Sequence, residues 1–294
     1  MARGKAGKID AATIVADLRP YDLTETQFES IATTVYETAG INLRAGKEEL
    51  VKSRLVKRLR ALDLPDFGAY LDYLKADISG QEIVTMLDLL TTNKTSFFRE
   101  QRHFDFLRQW LDANADLKKM RIWSAGCSSG EEPFSIAIVL CQEMKDIGQR
   151  DVRVLATDIS GRMLERARRG VYPYEPTLRG LPSIVVNEYF TSVGTQRAGT
   201  YVVAEPVKSL VRFAQFNLMG LWPMRGPFDL IFCRNVMIYF DGPTRQRVLS
   251  GFRQVLRAGG YLLVGHSESL LRSSPGFRYI QPAVYMRDDS KCSK

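Results

Sequence analysis

At residue 121 the grammar of the chain changes. From Thr24 to about Leu117, apolar residues recur at helical spacing; beyond it, short runs rich in β-formers alternate with helical segments. Strands alternating with helices imply βαβ units and a largely parallel sheet. The expected strands are 121–125, 152–157, 228–233, 261–264 and 283–286, with helices at 134–145, 160–169 and 243–255. Residues 187–216 break this rhythm. Strands at 201–203 and 211–216 with only turn residues between them suggest a small antiparallel insertion. In the helical half, Thr24 and Gln27 have the spacing of a capping box. It would open a helix over 27–39 that stops at Gly40, followed by helices at 48–62, 67–75 and 81–90. The expected organisation is a partly ordered extension (1–20), an all-α domain with its linker (21–117), and an α/β domain (118–294) carrying the insertion.

Bulk properties narrow the class. No apolar run approaches the roughly 20 residues that span a bilayer, so no membrane insertion is expected. No apolar segment follows the basic start Met1–Lys8, and a secretory leader is not expected either. The four cysteines, Cys127, Cys141, Cys233 and Cys292, show no Cys-x-x-Cys spacing and have only two histidines beside them. That pattern predicts free thiols in a reducing cytoplasm and neither a metal site nor a disulfide framework. The net charge of +8 calls for an acidic partner without choosing among nucleic acid, membrane and protein.

Ligands of a doubly wound sheet bind beyond the carboxyl ends of its strands, and two features sit there. One is the loop Gly126-Cys127-Ser128-Ser129-Gly130-Glu131-Glu132-Pro133; the other is Asp158, ending the next strand. The loop lacks G-x-G-x-x-G and the G-K-[ST] of a P-loop. Glu131 and Glu132 would repel a pyrophosphate but not a cationic sulfonium, which favours S-adenosylmethionine over NAD or ATP. Asp158 could accept from ribose hydroxyls or cap the next helix; the loop could equally be a plain βα turn with an acidic helix start.

Four strings then carry a resemblance: TTNKTSFFRE (91–100), RIWSAGCSSGEEPFSIAI (121–138), FDLIFCRNVMIYFD (228–241) and GHSESL (265–270). Together they resemble the CheR family of chemotaxis receptor methyltransferases, over nearly all of the chain from about 24 to 286. The resemblance implies an all-α N-terminal domain and a Rossmann-like α/β domain with a small antiparallel β insertion. It also implies S-adenosylmethionine as cofactor, bound by Asn93, Thr95, Arg99, Glu132, Asp158, Asn217, Leu218, Asn235 and Val236. The implied reaction is O-methylation of glutamate side chains on chemotaxis receptors in sensory adaptation. The implied partner is the cytoplasmic helical region of those receptors, in some members with a C-terminal tether peptide held by the insertion, here through the turn 194–201. A cytoplasmic monomer that binds no nucleic acid is expected.

The chemistry needs little acid–base machinery. A glutamate with a pKa of about 4.3 is already ionised at neutral pH, so in-line displacement at a sulfonium requires alignment and desolvation, not a base. Arg99 and Tyr239 are the candidates to hold the acceptor oxygens, Arg99 through its rigid fork of donors. Tyr239 reads equally as packing. Phe97, Phe98, Met237 and Ile238 read as core, His103 as a helix-surface residue, and neither His266 nor Cys127 as catalytic. In 44–60, seven basic residues stand against Glu48 and Glu49. Lys47, Arg54, Lys57 and Arg58 share one arc of a helical wheel beside an apolar seam of Val51, Leu55, Leu59 and Leu62. This is either a solvated face or a docking stripe; the resemblance assigns Arg54, Lys57, Arg58 and Arg60 to receptor docking. The rival readings are a cofactor-binding sensor or scaffold without activity, and a nucleic-acid methyltransferase.

Overall fold

The computed structural model describes residues 21–193, 199–270 and 276–289. The expected extension 1–20, Cys292 and the core of the 194–201 turn lie outside them. The chain divides into two compact units: one runs up to Glu37 and resumes over Leu43–Leu90, the other joins Thr38–Asn42 to everything from Thr91 onward.

The first unit is helical. Helix α1 (Glu25–Ala39) opens on the reciprocal cap its sequence announces. The Thr24 amide donates to Gln27 Oε1 at 3.0 Å, and the Gln27 amide to Thr24 Oγ1 at 3.3 Å. Helix α2 (Glu48–Ala61) carries Glu48 and Glu49 in its first turn and Arg58 and Arg60 in its last, the arrangement its macrodipole favours. Its seam of Val51, Leu55 and Leu59 is wholly buried. Helix α3 (Phe67–Ala76) is capped by Asp66, which accepts from the Ala69 amide at 2.9 Å, and α4 (Gln81–Leu90) follows. Between these helices, Arg58 grips buried Glu82 with two bonds (Nε–Oε1 3.0 Å, a terminal nitrogen to Oε2 2.5 Å), and the Tyr70 hydroxyl donates to Glu82 Oε1 at 2.9 Å.

The second unit begins its regular structure with α5 (Arg102–Ala113), then β1 (Lys119–Ala125), α6 (Glu131–Glu143), β2 (Asp151–Asp158) and α7 (Gly161–Arg169). Ser160 caps α7 by accepting from the Met163 amide at 3.0 Å; Gly170, at φ +61°, ends it. After β3 (Val171–Pro173) come α8 (Ser183–Tyr189), β4 (Phe190–Val193), β5 (Thr200–Val203), the short α9 (Glu205–Lys208), β6 (Val211–Gln215) and β7 (Phe228–Cys233). The chain finishes with α10 (Gly242–Val255), β8 (Leu256–Val264), β9 (Phe277–Gln281) and β10 (Val284–Arg287).

The main sheet has the order β6-β2-β1-β7-β8-β10-β9. Neighbours from β6 to β8 are parallel, and β10 is antiparallel to both β8 and β9. The small antiparallel sheet is β3-β5-β4. One expectation is therefore corrected: the strand at 211–216 is not part of the insertion. It pairs in parallel with β2, Val154 against Val211 through Asp158 against Gln215, and the partners of β5 within the insertion are β3 and β4. Adjacency in sequence to β5 suggested a hairpin, but α9 turns the chain back onto the main sheet.

Trp123 sits fully buried on β1 at the centre of this unit. Its ring lies 5.2–5.8 Å from those of Phe216, Trp222, Phe228 and Phe252. Its indole N–H is satisfied by Thr157 Oγ1 at 2.9 Å, so the polar end of the ring carries no unmet bond into the core. This anchors the two strands whose carboxyl ends form the site.

Candidate cofactor and active site

Leaving β1, the chain runs to β2 and β6 on one side, then returns to β7 on the other, so the order reverses between β1 and β7. A cleft of about 970 Å³, part of it open to solvent, lies at these strand ends. Its place is the one such sheets use for ligands. Every lining residue belongs to the second unit.

The loop after β1 forms one wall. Gly126 holds φ +83°, and a Cβ there would stand 2.3 Å from Val236 Cγ2, so no side chain is tolerated. Gly126 and Cys127 both donate their amides to Thr157 O, at 2.8 and 2.9 Å. Ser128, at φ +49°, donates its amide to Asp158 Oδ2 at 2.7 Å and its hydroxyl to Asn93 O at 2.8 Å. Asp158 Oδ1 accepts from the Ser160 amide at 2.9 Å. Asp158 thus braces both loops while facing the cleft, and the capping side chain of α7 is Ser160.

Of the two loop carboxylates only Glu132 lines the cleft. Glu131 is buried against Ser129, whose hydroxyl donates to it at 2.7 Å; burial pushes its carboxyl above the ordinary value. Glu132 accepts from Ser124 Oγ at 2.7 Å and from Arg234 at 2.9 Å. The charge presented to a ligand is therefore more muted than the sequence of the loop implies.

Arg234, which sequence reasoning passed over, organises the opposite wall. Its side chain is 2% exposed; it pairs with Glu132 and, at 3.1 Å, with Glu100 Oε2, and donates to the Arg99 carbonyl. Burial opposes ionisation of Glu100, but the charge and hydrogen bond of Arg234 outweigh it and hold the carboxyl below its usual value. Asn235 follows at φ +60°, and its amide donates to Glu268 Oε2 at 2.6 Å. Glu268 also accepts from the amides of Gly265 (2.6 Å) and Ile238 (3.0 Å). This buried carboxylate thereby fixes the turn that carries Asn235, Val236 and Tyr239 into the cleft. Both Arg234 and Glu268 lie inside strings singled out by sequence, which was the available signal, but burial of a charge is not readable from sequence.

The expected cofactor residues Asn93, Thr95, Arg99, Glu132, Asp158, Asn217, Leu218, Asn235 and Val236 all line this one cleft, and so does Tyr239. Arg99 donates one guanidinium nitrogen to Lys94 O at 3.0 Å. The Asn217 side chain ties loops together, donating to Thr38 O at 2.6 Å and accepting from the Met219 amide at 2.9 Å. Four of the six described non-glycine residues at positive φ, Phe98, Glu100, Ser128 and Asn235, stand in or beside these segments. Such conformations persist only where surroundings enforce them, and they concentrate at sites of function.

The expected docking residues all belong to the first unit. Lys57 and Arg60 are exposed on α2, Arg60 over the Tyr21 ring at 5.9 Å. Arg54 donates to the Leu90 carbonyl and Arg58 is held by Glu82. Two further readings are corrected. His103 is 1% exposed, because the amphipathic α5 turns it inward with Phe104 and Leu107. Burial and then the charge of Arg234 press its imidazole down to about 3. Ile238 is not core; its short 3₁₀ turn leaves it 43% exposed. Cys127 is buried, and burial together with Asp158 and Glu132 pushes its thiol well up, which removes it as a nucleophile.

The family model of the CheR methyltransferase SAM binding domain matches residues 93–286, and that of the CheR methyltransferase all-alpha domain matches 26–91. A chemotaxis protein methyltransferase of Borreliella burgdorferi is 38% identical over 276 residues, covering 91% of this chain and 96% of its own. That of Klebsiella aerogenes is 41% identical over 266 residues and 90% of both chains. The Escherichia coli protein of the same name is 39% identical over 264 residues, 90% of this chain and 91% of its own.

The chain belongs to the CheR methyltransferase family. It is an S-adenosylmethionine-dependent methyltransferase with the family's all-α domain and Rossmann-like domain. The cleft fits that cofactor. Asp158 stands at the end of β2, where nucleoside hydroxyls are met in such sheets, Gly126 leaves room for close backbone approach, and Ile159, Leu218 and Val236 give apolar walls. Among the described residues no helix is long and apolar enough to cross a membrane.

Proposed function

We propose that this CheR-family enzyme esterifies glutamate side chains in the cytoplasmic helical region of chemotaxis receptors, acting as a cytoplasmic monomer. The relatives named above supply the receptor pathway; the carrying observation in this chain is that Arg99 and Tyr239 line the same cleft as the nine expected cofactor residues. In this reading Asp158 takes the ribose, Asn217 and Leu218 flank the adenine, and Asn93, Thr95, Glu132, Asn235 and Val236 complete the site. Bound S-adenosylmethionine supplies an electrophilic methyl group on a sulfonium and leaves as S-adenosylhomocysteine.

The protein's own part is positional. The acceptor carboxylate is ionised at neutral pH and attacks in line without a base. Arg99 and Tyr239 hold its oxygens and exclude water, the kind of alignment that lowers a barrier by avoiding reorientation in solution. Arg234 keeps Glu132 and the Arg99 backbone in register. Lys57 and Arg60 on α2 offer exposed positive charge to glutamate-bearing receptor helices, while Arg54 and Arg58 act from within the helical unit. The β4–β5 hairpin would receive a receptor tether.

The test is transfer of radiolabelled methyl to purified receptor cytoplasmic fragments, followed by alkali. Base-labile label on glutamates supports the proposal. Cofactor binding without any label would favour the sensor reading, and label on nucleic acid would favour the other rival.

A further inference from the structure

The sequence holds only two histidines, His103 and His266, far apart along the chain. The fold sets their rings 5.2 Å apart, His103 at the start of α5 and His266 in the loop after β8. Glu100 joins them: one ligand atom from each of the three lies within 4.8 Å of the others. His103 is 1% exposed, and neither of its ring nitrogens makes a hydrogen bond; Nδ1 stands 3.4 Å from Glu100 Oε2. A buried imidazole without a bond is costly, and a partner at this point removes the cost. Glu100 is strained into place at φ +59°, directly beside Arg99.

We propose that Glu100, His103 and His266 bind one first-row transition-metal dication, with Zn²⁺ the ion that two imidazoles and one carboxylate suit. Three protein ligands leave a further position open on the side of exposed His266, to be filled by water. The cation clips the segment before α5 to the loop after β8, the same loop whose Glu268 fixes the 235–238 turn. Arg234 shares Glu100 with the site, but it retains Glu132 and the Arg99 carbonyl when Glu100 turns to the metal. That competition sets the affinity below that of closed four-ligand zinc sites.

The experiment is competition for Zn²⁺ between the metal-free full-length protein and a chromophoric chelator, with Co²⁺ as a spectroscopic probe. The expected result is one equivalent bound, at least about 100-fold weaker in His266→Ala. Bound Co²⁺ should show d–d bands without a thiolate charge-transfer band, which separates this site from the four cysteines. At a hundredfold excess over its dissociation constant, Zn²⁺ should raise the melting temperature by about 5 °C. His266→Ala, altering an exposed side chain, should melt with the metal-free protein and show no such rise. No binding at micromolar Zn²⁺, unchanged binding in His266→Ala, or thiolate bands with Co²⁺ would each overturn the site. None of these readouts depends on methyl transfer.

Discussion

Each unit contains an arginine bound to a buried or half-buried carboxylate, and the two pairings are finished to different degrees. In the helical unit, Glu82 takes two bonds from Arg58 and one from Tyr70, on elements of regular helical backbone. In the cleft, Arg234 spans Glu132 and Glu100, its Nε and both His103 nitrogens lack hydrogen bonds, and Glu100 and Asn235 sit at positive φ. A network complete in itself secures a fold. One left incomplete, on strained backbone and at the edge of a cleft, is organised around something else.

The contrast can be broken at its strongest point first. Arg58→Ala should leave the buried Glu82 carboxylate with Tyr70 as its remaining side-chain partner and destabilise the protein by about 2–3 kcal/mol in a denaturant titration, less than the loss from a fully buried pair because Arg58 is partly exposed. A loss below about 1 kcal/mol would show that Arg58 is not a structural residue and return it to receptor docking alone. Arg99→Ala should do the opposite: turnover falls roughly 100-fold, as for removal of a preorganised donor, with the denaturation midpoint unmoved. An equal fall in stability would place Arg99 with Arg58 as scaffolding.

The ease of reading followed the range of the interaction. The α1 capping box, the α2 seam and the strand ends at Ala125 and Asp158 depend on neighbours within a few residues, and they were legible. Of the residues in the recognisable strings, Asn93, Thr95, Arg99, Glu132, Asn235, Val236 and Tyr239 were named as site candidates. Arg234 and Glu268 were not, since their role comes from partners such as Glu100 and Gly265 that only the fold supplies. His103 misled because the polar ring was taken as a surface marker, while α5 buries one face wholly. The strand at 211–215 misled because pairing in parallel with β2 is a long-range fact with no local turn signal.

Lys57→Glu, exposed on α2, should raise the KM for receptor fragments about threefold with kcat unchanged, and the effect should fade with added salt. No change in KM would leave the stripe a solvated face. The smallest effect belongs to Glu131. Burial raises its carboxyl above 4.5, so its ionised form is penalised in the folded state. With a raised folded pKa, that penalty is present above the folded value and absent below 4.5. Glu131→Gln should therefore raise the urea midpoint at pH 7, and the gain should vanish as the pH falls toward 4.5. A gain constant with pH would trace to packing instead.

Gly40 ends α1 at φ +69°, where a Cβ would collide at 2.8 Å with both Met219 and Thr244. The residues around it belong to the second unit: Ile41 bridges Phe240, and the Asn42 amide donates to Tyr239 O at 2.8 Å. Ala39 and Ile41 line the cleft itself. Cutting the chain near Thr91, where the second unit resumes, thus cannot release an intact cofactor-binding fragment. The piece retaining the Rossmann-like sheet would lack a strip of its own wall, left behind on the other fragment, and only co-expression of both halves or a graft of Thr38–Asn42 would restore it.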